Sequence, residues 1–418
     1  QGHGTLNISG GSYNFTGSEF LNGYSTPGNI NLSGTGVFNV NLLRVSQAAA
    51  GSVINLDGGT LIFSRFNSAS GVGTVNFNGT TIQCKSSVSS PTSFLPVNAS
   101  YSYIMQLGGV SINTEGYSIF IGTNFISDPN LGGYPDGGLT EDGMNGTIIM
   151  TSSSTNSYTG PTTVLNGTLS LSQPSLSAVS PVVLATNSVI GMNSILNLNF
   201  TGSDTVGGLV LGGVQMPAGT YDAANTPVYI TGTGSLNNLG GAPSTNLFWT
   251  AGVNNNWDAS TANWSQSGTV ATWINSSPSP ANAIFSGGGV GTVNLTQGVN
   301  VNNLVVAAAG YTFASNPGGT LTLNGSGINL INSANTSISG IITNTANLTK
   351  SGSGVLTLSG GNYFTGGVTN QGGVLALGNV NALNGATAGD VNAGSLEPNL
   401  FGQFSDVPTC VLNELGAD

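Results

Sequence analysis

The sequence has very few charged residues, and this scarcity excludes several classes of protein. Only 5% of its 418 residues are charged, and the basic ones number 4: Arg44, Arg65, Lys85 and Lys350. Nucleic acids and anionic membranes are bound by clustered basic residues that neutralise phosphates, so neither is an expected partner. Because no apolar run reaches about 18 residues, we expect no membrane-spanning helix and no membrane insertion.

Residues that carry common catalytic and metal chemistry are also scarce. The single histidine is His3, and the only cysteines are Cys84 and Cys410. No Ser-His-Asp or Cys-His arrangement is expected from these, and no cluster has zinc-ligand spacing. The segment 287–291, GGGVG, lacks the Lys of a phosphate-binding loop. We therefore predict no catalytic residue, no cofactor and no metal site.

Two cysteines leave the redox chemistry open. An even count permits a disulfide in a secreted protein, either within one chain or between neighbouring subunits. Two buried free thiols are the alternative.

The N-terminal sequence QGHGTLNISGG lacks the charged and apolar regions of a signal peptide, which is typical of a mature or trimmed chain.

What the chain does contain is glycine, 65 residues of it, together with short runs in which apolar residues alternate with Asn, Ser and Thr. This alternation predicts strands, and no window has the periodicity of a helix. Four runs superpose so that Asn7, Asn31, Asn55 and Asn76 are equivalent, which predicts coils of a β-helix. Alternation should send the Asn row outward and the flanking apolar residues inward. Glycine should turn the corner of each coil, at Gly10, Gly34, Gly58 and Gly79.

A longer repeat occurs twice, at residues 145–172 and 348–378. The copies align without a gap, and six positions of the first (Thr159, Gly160, Thr163, Gly167, Leu169 and Leu171) match six of the second (Thr365, Gly366, Thr369, Gly373, Leu375 and Leu377). With its LTKSGSGVLTLSG, TGG and GGVLAL segments, the second copy resembles the autotransporter-associated β-strand repeat of secreted bacterial surface proteins. The resemblance implies a right-handed parallel β-helix, an extracellular location, and a structural or adhesive role. It carries no catalytic residues.

Module order suggests two β-helical segments. Residues 1–239 form the first, with the repeat at 145–172 and, at 194–239, a stretch that resembles the family's closing module. Residues 240–247 are a linker of turn-forming residues. Residues 248–378 join the second repeat to a stretch that resembles a Trp-rich opening module and holds Trp249, Trp257, Trp264 and Trp273. These rings are expected to cap the core, and stacking on sugars is the alternative. Residues 379–418 form a polar tail, expected at a surface or an interface.

The segment around residues 128–142 concentrates carboxylates: Asp128, Asp136, Glu141 and Asp142. A calcium-binding loop is one interpretation, because hard cations prefer several oxygen ligands. A solvated glycine-rich turn is the other, and it is favoured because the spacing matches no known calcium motif. Asn-x-Ser/Thr triplets are abundant, Asn263 among them, so glycosylation is a further hypothesis.

The sequence therefore predicts an extracellular structural protein. Its main functional interpretation is a head-to-tail homopolymer, in which the tail 379–418 of one copy docks on the first coil of the next and propagates a bacterial surface filament. The alternative is a monomeric adhesin passenger that binds glycans or surfaces. A polysaccharide-degrading β-helix enzyme is the third interpretation. It is disfavoured because the chain shows no evident acid and base pair.

Overall fold

The chain is an all-β protein built as a parallel β-helix, as the computed structural model shows. The structure describes residues 4–47, 51–67, 71–88, 94–96, 100–131, 135–151, 155–185, 194–241, 246–266, 269–275, 281–323, 327–330, 334–344, 348–384, 386, 389–391, 394–398 and 410–412. These residues include one 3-10 turn, Pro129–Leu131. No helix among them has the length and apolarity needed to cross a membrane. The chain divides into two compact units, residues 1–243 and 244–418.

The first unit is a stack of coils whose strands pair in parallel with the coil before and after. Its strands are Gly4–Ile8, Ser12–Asn14, Glu19–Leu21, Gly28–Asn39, Leu42–Arg44, Ser52–Phe63, Arg65–Asn67, Gly73–Cys84, Tyr101–Asn113, Ser118–Ile121, Ile126–Ser127, Leu139–Met150, Thr162–Leu171, Pro181–Leu184, Ile195–Leu198, Ser203–Val206, Gly208–Leu211, Val214–Gln215, Gly219–Asp222, Ile230–Gly232 and Ser235–Asn238. Stacking places residues one coil apart directly beside one another, about 4.8 Å away.

The register predicted from the Asn row is confirmed. Asn7 pairs with Asn31, Asn31 with Asn55, and Asn55 with Asn76. The apolar residues beside this row are buried in the second to fourth coils, and Ile54 and Leu56 are fully so. Burying such a side chain stabilises the fold by about 1.5 to 3 kcal/mol. The alternation of side chains therefore fixes which face of each strand forms the core.

Glycine turns the corner of each coil, with one correction to the predicted set. Gly34, Gly58 and Gly79 have positive φ angles of 56°, 98° and 82°. In the first coil this conformation belongs to Gly11, with φ 67°, and the prediction of Gly10 is wrong. The adjacent glycine takes the corner because only a residue without Cβ adopts positive φ at little cost.

Parallel stacking gives way to antiparallel pairing near the end of the first unit. Val214–Gln215 runs antiparallel to Gly208–Leu211, and Gly219–Asp222 runs antiparallel to Ser235–Asn238. These strands lie in the stretch that resembles a closing module. These antiparallel strands pair with backbone groups that would otherwise be available to another parallel coil.

The second unit stacks its coils in three parallel columns. Its strands are Asn246–Trp249, Asn256–Trp257, Trp264–Gln266, Thr269–Ala271, Asn282–Phe285, Thr292–Leu295, Gly298–Val301, Leu304–Val306, Tyr311–Ser315, Thr320–Leu323, Gly327–Leu330, Thr336–Ile338, Ile341–Asn344, Leu348–Ser351, Val355–Leu358, Tyr363–Phe364, Val368–Asn370, Gly373–Leu377, Gly389–Val391, Gly394–Pro398 and Cys410–Leu412. The unit opens with antiparallel strands, Asn246–Trp249 beside Trp264–Gln266, before parallel pairing begins.

The two long repeats share their later halves but differ earlier. Gly167 and Gly373 both have positive φ, and the leucines that follow them are buried. Upstream, Ile148 pairs with Leu169, whereas Leu356 pairs with Leu375. Those partners are 21 and 19 residues apart, so the gapless alignment does not hold before Thr159. The turns between strands absorb the difference in length.

Part of the polar tail continues the stack of its own chain. Gly389–Val391 pairs with Val368–Asn370, Gly394–Pro398 with Gly373–Leu377, and Cys410–Leu412 with Gly389–Val391. Parallel ladder bonds thus use backbone groups that the sequence analysis assigned to a surface or an interface. Alternate side chains of such strands face outward, so a polar composition is compatible with them, and the docking role of the tail stays a prediction.

Candidate interaction surface

The most regular surface of the first unit is a flat polar face formed by five successive coils. We call it the Asn face, and it consists of the outward residues Thr5, Asn7, Asn29, Asn31, Val53, Asn55, Thr74, Asn76, Ser102 and Ile104. None of these residues is charged, and all are exposed or half-buried. Apart from Val53 and Ile104, the face therefore presents side-chain amides and hydroxyls in register along the coils.

Hydrogen bonds between side chains hold the Asn row in place. Nδ2 of Asn31 donates to Oδ1 of Asn7 at 2.7 Å, and Asn55 donates to Asn31 at 2.8 Å. Asn76 donates to Asn55 at 2.8 Å. The row stops at the fifth coil, where Ile104 pairs with Asn76. Asn31, Asn55 and Asn76 each use one amide N–H in this row, which leaves a second N–H for another partner.

Two of the four basic side chains are engaged within the fold. The guanidinium of Arg44 donates to both carboxylate oxygens of Glu19, at 2.9 and 2.8 Å, from the neighbouring coil. Lys350 is fully buried.

The carboxylates considered for calcium do not come together. No group of three or more His, Cys, Asp or Glu side chains that could hold a metal occurs in the described part of the chain. Asp136 is fully buried, and its oxygens accept from the amides of Gly138, Thr159 and Gly160 at 2.8 to 3.0 Å and from the Thr159 hydroxyl at 3.1 Å. It fastens two coils together. Asp128 accepts instead from the nearby Asn130 and Gln106 side chains.

The four tryptophans form one buried cluster in the second unit. Their exposed fractions are at most 2%, and neighbouring ring centres lie 4.6 to 5.1 Å apart. Rings buried to this degree cannot stack on an external sugar. The arrangement agrees with the predicted core cap.

Burial also describes the surroundings of Cys84 and Asn263. Cys84 is a free thiol, 3% exposed, and burial raises its pKa far above the ordinary value. The side chain of Cys410 lies outside those that the structure describes. Asn263, in one of the Asn-x-Ser triplets, is fully buried with its amide bonded to Asn254 and to the Asn256 carbonyl. The folded protein therefore does not offer Asn263 for glycosylation.

A cleft of about 490 Å³ lies beside the Asn face, between the first described strand and the turn that leads to Gly28. Leu6, Phe20 and Leu21 line it together with the backbone of that turn. These side chains belong to the margin of the unit's core. The cleft lies at the margin of this core, against which Leu6 and Phe20 pack.

The fold and the surface define the class of protein. It is a β-solenoid in which the described buried polar groups form hydrogen bonds from one coil to the next. Comparisons with known proteins agree. Residues 145–171 and 348–377 match the family model of the passenger-associated-transport-repeat. Over 171 residues the chain is 32% identical to a Brucella suis protein named "Adhesin BmaC autotransporter". Both findings support the resemblance of the two repeats to the autotransporter-associated repeat family.

That relative is far larger than this chain. The matched region covers 38% of the chain and 5% of the relative. No solved structure matches the chain. The family and this relative indicate an extracellular surface protein.

Proposed function

We propose that this chain is an adhesin-type passenger segment that acts outside the cell without catalysis. The observation that carries the proposal is its 32% identity to a protein named as an autotransporter adhesin. The filament predicted from module order gains no support from the comparisons, which favour the adhesin alternative. The tail strands also weaken the filament hypothesis, because they pair with the chain's own coils.

The Asn face is the surface that we assign to adhesion. Its uncharged rows of amides and hydroxyls suit a neutral partner rich in hydroxyl groups, such as a glycan. Contact over several coils would add many weak hydrogen bonds, each worth about 0.5 to 1.5 kcal/mol. None of the residues of the Asn face carries a charge that would have to be desolvated on binding. Such a surface binds through many contacts along its length and not through one deep pocket.

Bead retention on epithelial cell layers tests this function. Beads carrying the purified chain should be retained, and soluble neutral polysaccharides such as dextran and mannan should compete while heparin should not. Asn29→Glu with Thr74→Glu places two carboxylates on the Asn face two coils apart, and most retention should be lost. Thr312→Glu with Thr357→Glu makes the matched change on the second unit, two coils apart on half-buried strand positions, and should leave retention unchanged.

Two results of this assay would contradict different parts of the proposal. Retention no greater than that of beads coated with an unrelated protein would contradict the adhesin function. Retention that survives the Asn-face variant would contradict only the choice of surface.

A further inference from the structure

The turn that follows the short strand Ile126–Ser127 contains a peptide bond that its own side chain can attack. Of the 16 prolines in the chain, only Pro129 follows an aspartate. The proline nitrogen carries no hydrogen, so it cannot attack the Asp128 side chain and close a succinimide, which is the usual ring closure at aspartate. The reverse attack, by the side-chain carboxylate on the backbone carbonyl carbon, stays open and would break the bond between Asp128 and Pro129.

Hydrogen bonds hold the Asp128 carboxylate at this turn. Oδ1 accepts from the backbone amide and from the side-chain amide of Asn130, at 2.9 and 2.8 Å. Oδ2 accepts from Nε2 of Gln106, on the neighbouring strand, at 2.9 Å. The bond from the Asn130 backbone amide closes a ring of atoms that includes the carbonyl carbon of Asp128 and the nitrogen of Pro129. The carboxylate is therefore kept beside the bond that it would attack.

The carbonyl group of this bond is also hydrogen-bonded. Its oxygen accepts from the backbone amide of Leu131 at 3.1 Å, within the 3-10 turn Pro129–Leu131. A backbone donor at this distance stabilises the negative charge that develops on a carbonyl oxygen under attack. The Asp128 amide donates to the carbonyl of Met105 at 2.9 Å, which fastens the start of the turn to the neighbouring strand. Nucleophile, carbonyl and donor are thus held by one turn.

We propose that the fold makes the bond between Asp128 and Pro129 a self-cleavage site in mild acid. The ionised Asp128 carboxylate attacks its own backbone carbonyl carbon and closes a five-membered cyclic anhydride. The bond to the Pro129 nitrogen breaks, and this nitrogen leaves as a secondary amine that takes a proton from the solvent. Pro129 is exposed, so water reaches the site. One water molecule then opens the anhydride and leaves two carboxyl groups on Asp128.

Cleavage at this turn leaves the stack of coils joined. The strand Tyr101–Asn113 precedes the bond and Leu139–Met150 follows it, and residues 139–141 pair in parallel with residues 110–112. The coils on both sides of the bond also share one hydrophobic core. The two fragments therefore stay together under native conditions, and the new chain ends lie at an exposed turn.

Mass spectrometry under denaturing conditions, after incubation in acid, tests the proposal. The chain is held at the lowest pH at which circular dichroism still shows the folded state, and a parallel sample is unfolded in urea at the same pH. The folded sample should give two fragments, 1–128 and 129–418, whose masses add up to that of the chain plus one water. Native gel filtration of the cleaved sample should show one particle of unchanged size.

Cleavage should be about tenfold faster in the folded sample than in urea, because the turn holds the carboxylate beside the carbonyl. Asp128→Asn keeps an oxygen for the Asn130 amide but loses the nucleophile, so this variant should stay whole. Asp222 and Asp258 are controls within the chain. Each accepts from the amide two residues further on, at 2.9 and 2.8 Å, but an alanine follows each of them, so neither bond should break.

A folded chain that stays whole, or one that is cut no faster than the urea sample, would overturn the proposal. Cleavage of Asp128→Asn at the rate of the unsubstituted chain would overturn it as well.

Discussion

Lys350 gives the sharpest stability prediction, because it is a fully buried amine without an ion-pair partner in the described residues. Burial lowers its pKa from 10.5 to about 8. Above the folded pKa the folded protein releases the proton while the unfolded chain still holds it, so stability rises with pH between about 8 and 10.5. Below pH 8 both states are protonated and the burial of charge costs the fold its full amount.

The size of the effect follows from the pKa difference. At 1.36 kcal/mol per pKa unit, a shift of about 2.5 units corresponds to about 3 kcal/mol in total. Ordinary tyrosines titrate near pH 10, so the useful window ends near pH 9.5. Because Lys350 is still half protonated in the fold at pH 8, the second unit should gain about 1.5 kcal/mol of unfolding free energy from pH 8 to 9.5.

Tryptophan fluorescence isolates this unit, since all four tryptophans belong to its core. Guanidinium unfolding is measured at several pH values for the unsubstituted protein and for Lys350→Met. The variant removes both the buried charge and the donor to the carbonyls of Gly352 and Gly372, so its stability should not rise from pH 8 to 9.5. Parallel pH profiles for the two proteins would show that Lys350 does not titrate in this range, and the reasoning would fail.

Two other substitutions test the assigned packing. Asp136→Asn replaces an acceptor oxygen with a donor that faces backbone amides, so the first unit should lose about 1 to 3 kcal/mol of unfolding free energy, measured by circular dichroism. Added Ca²⁺ should not change the melting temperature of the unsubstituted protein or of the variant. A calcium-dependent rise would restore the metal interpretation. Trp264→Ala opens a cavity in the tryptophan cluster and should cost the second unit about 3 to 5 kcal/mol in guanidinium unfolding, and a loss below 1 kcal/mol would contradict its role in the cap.

The coil register was predictable because local pattern and long-range pairing agree. Asn55 has apolar neighbours on both sides, and both of them face the core, so the same alternation that makes a strand also aligns successive coils. The cap was predictable for a similar reason, since four large rings within one short stretch must be buried together.

Other features depend on which turns face each other, and the sequence alone does not show that. From the sequence alone Asp136 is a candidate metal ligand. The structure places its coil beside Thr159 and Gly160, whose backbone amides donate hydrogen bonds to its carboxylate. Glu141 and Lys350 occupy the same position in the two repeats, since residues 139–141 pair with 162–164 as residues 348–350 pair with 368–370. The sequence hides this because the turn that follows differs in length between the repeats.

Successive asparagines of the Asn row are 24, 24 and 21 residues apart, yet their amides meet at nearly equal distances. The strands tolerate no slip, because a shift of one residue would turn the core outward. The turns, by contrast, absorb length freely. Evolution can therefore lengthen a turn, or duplicate a whole coil, without redesigning its neighbours. Such a protein varies by complete coils and by turn length, and its reach outside the cell can change while its internal joints stay the same.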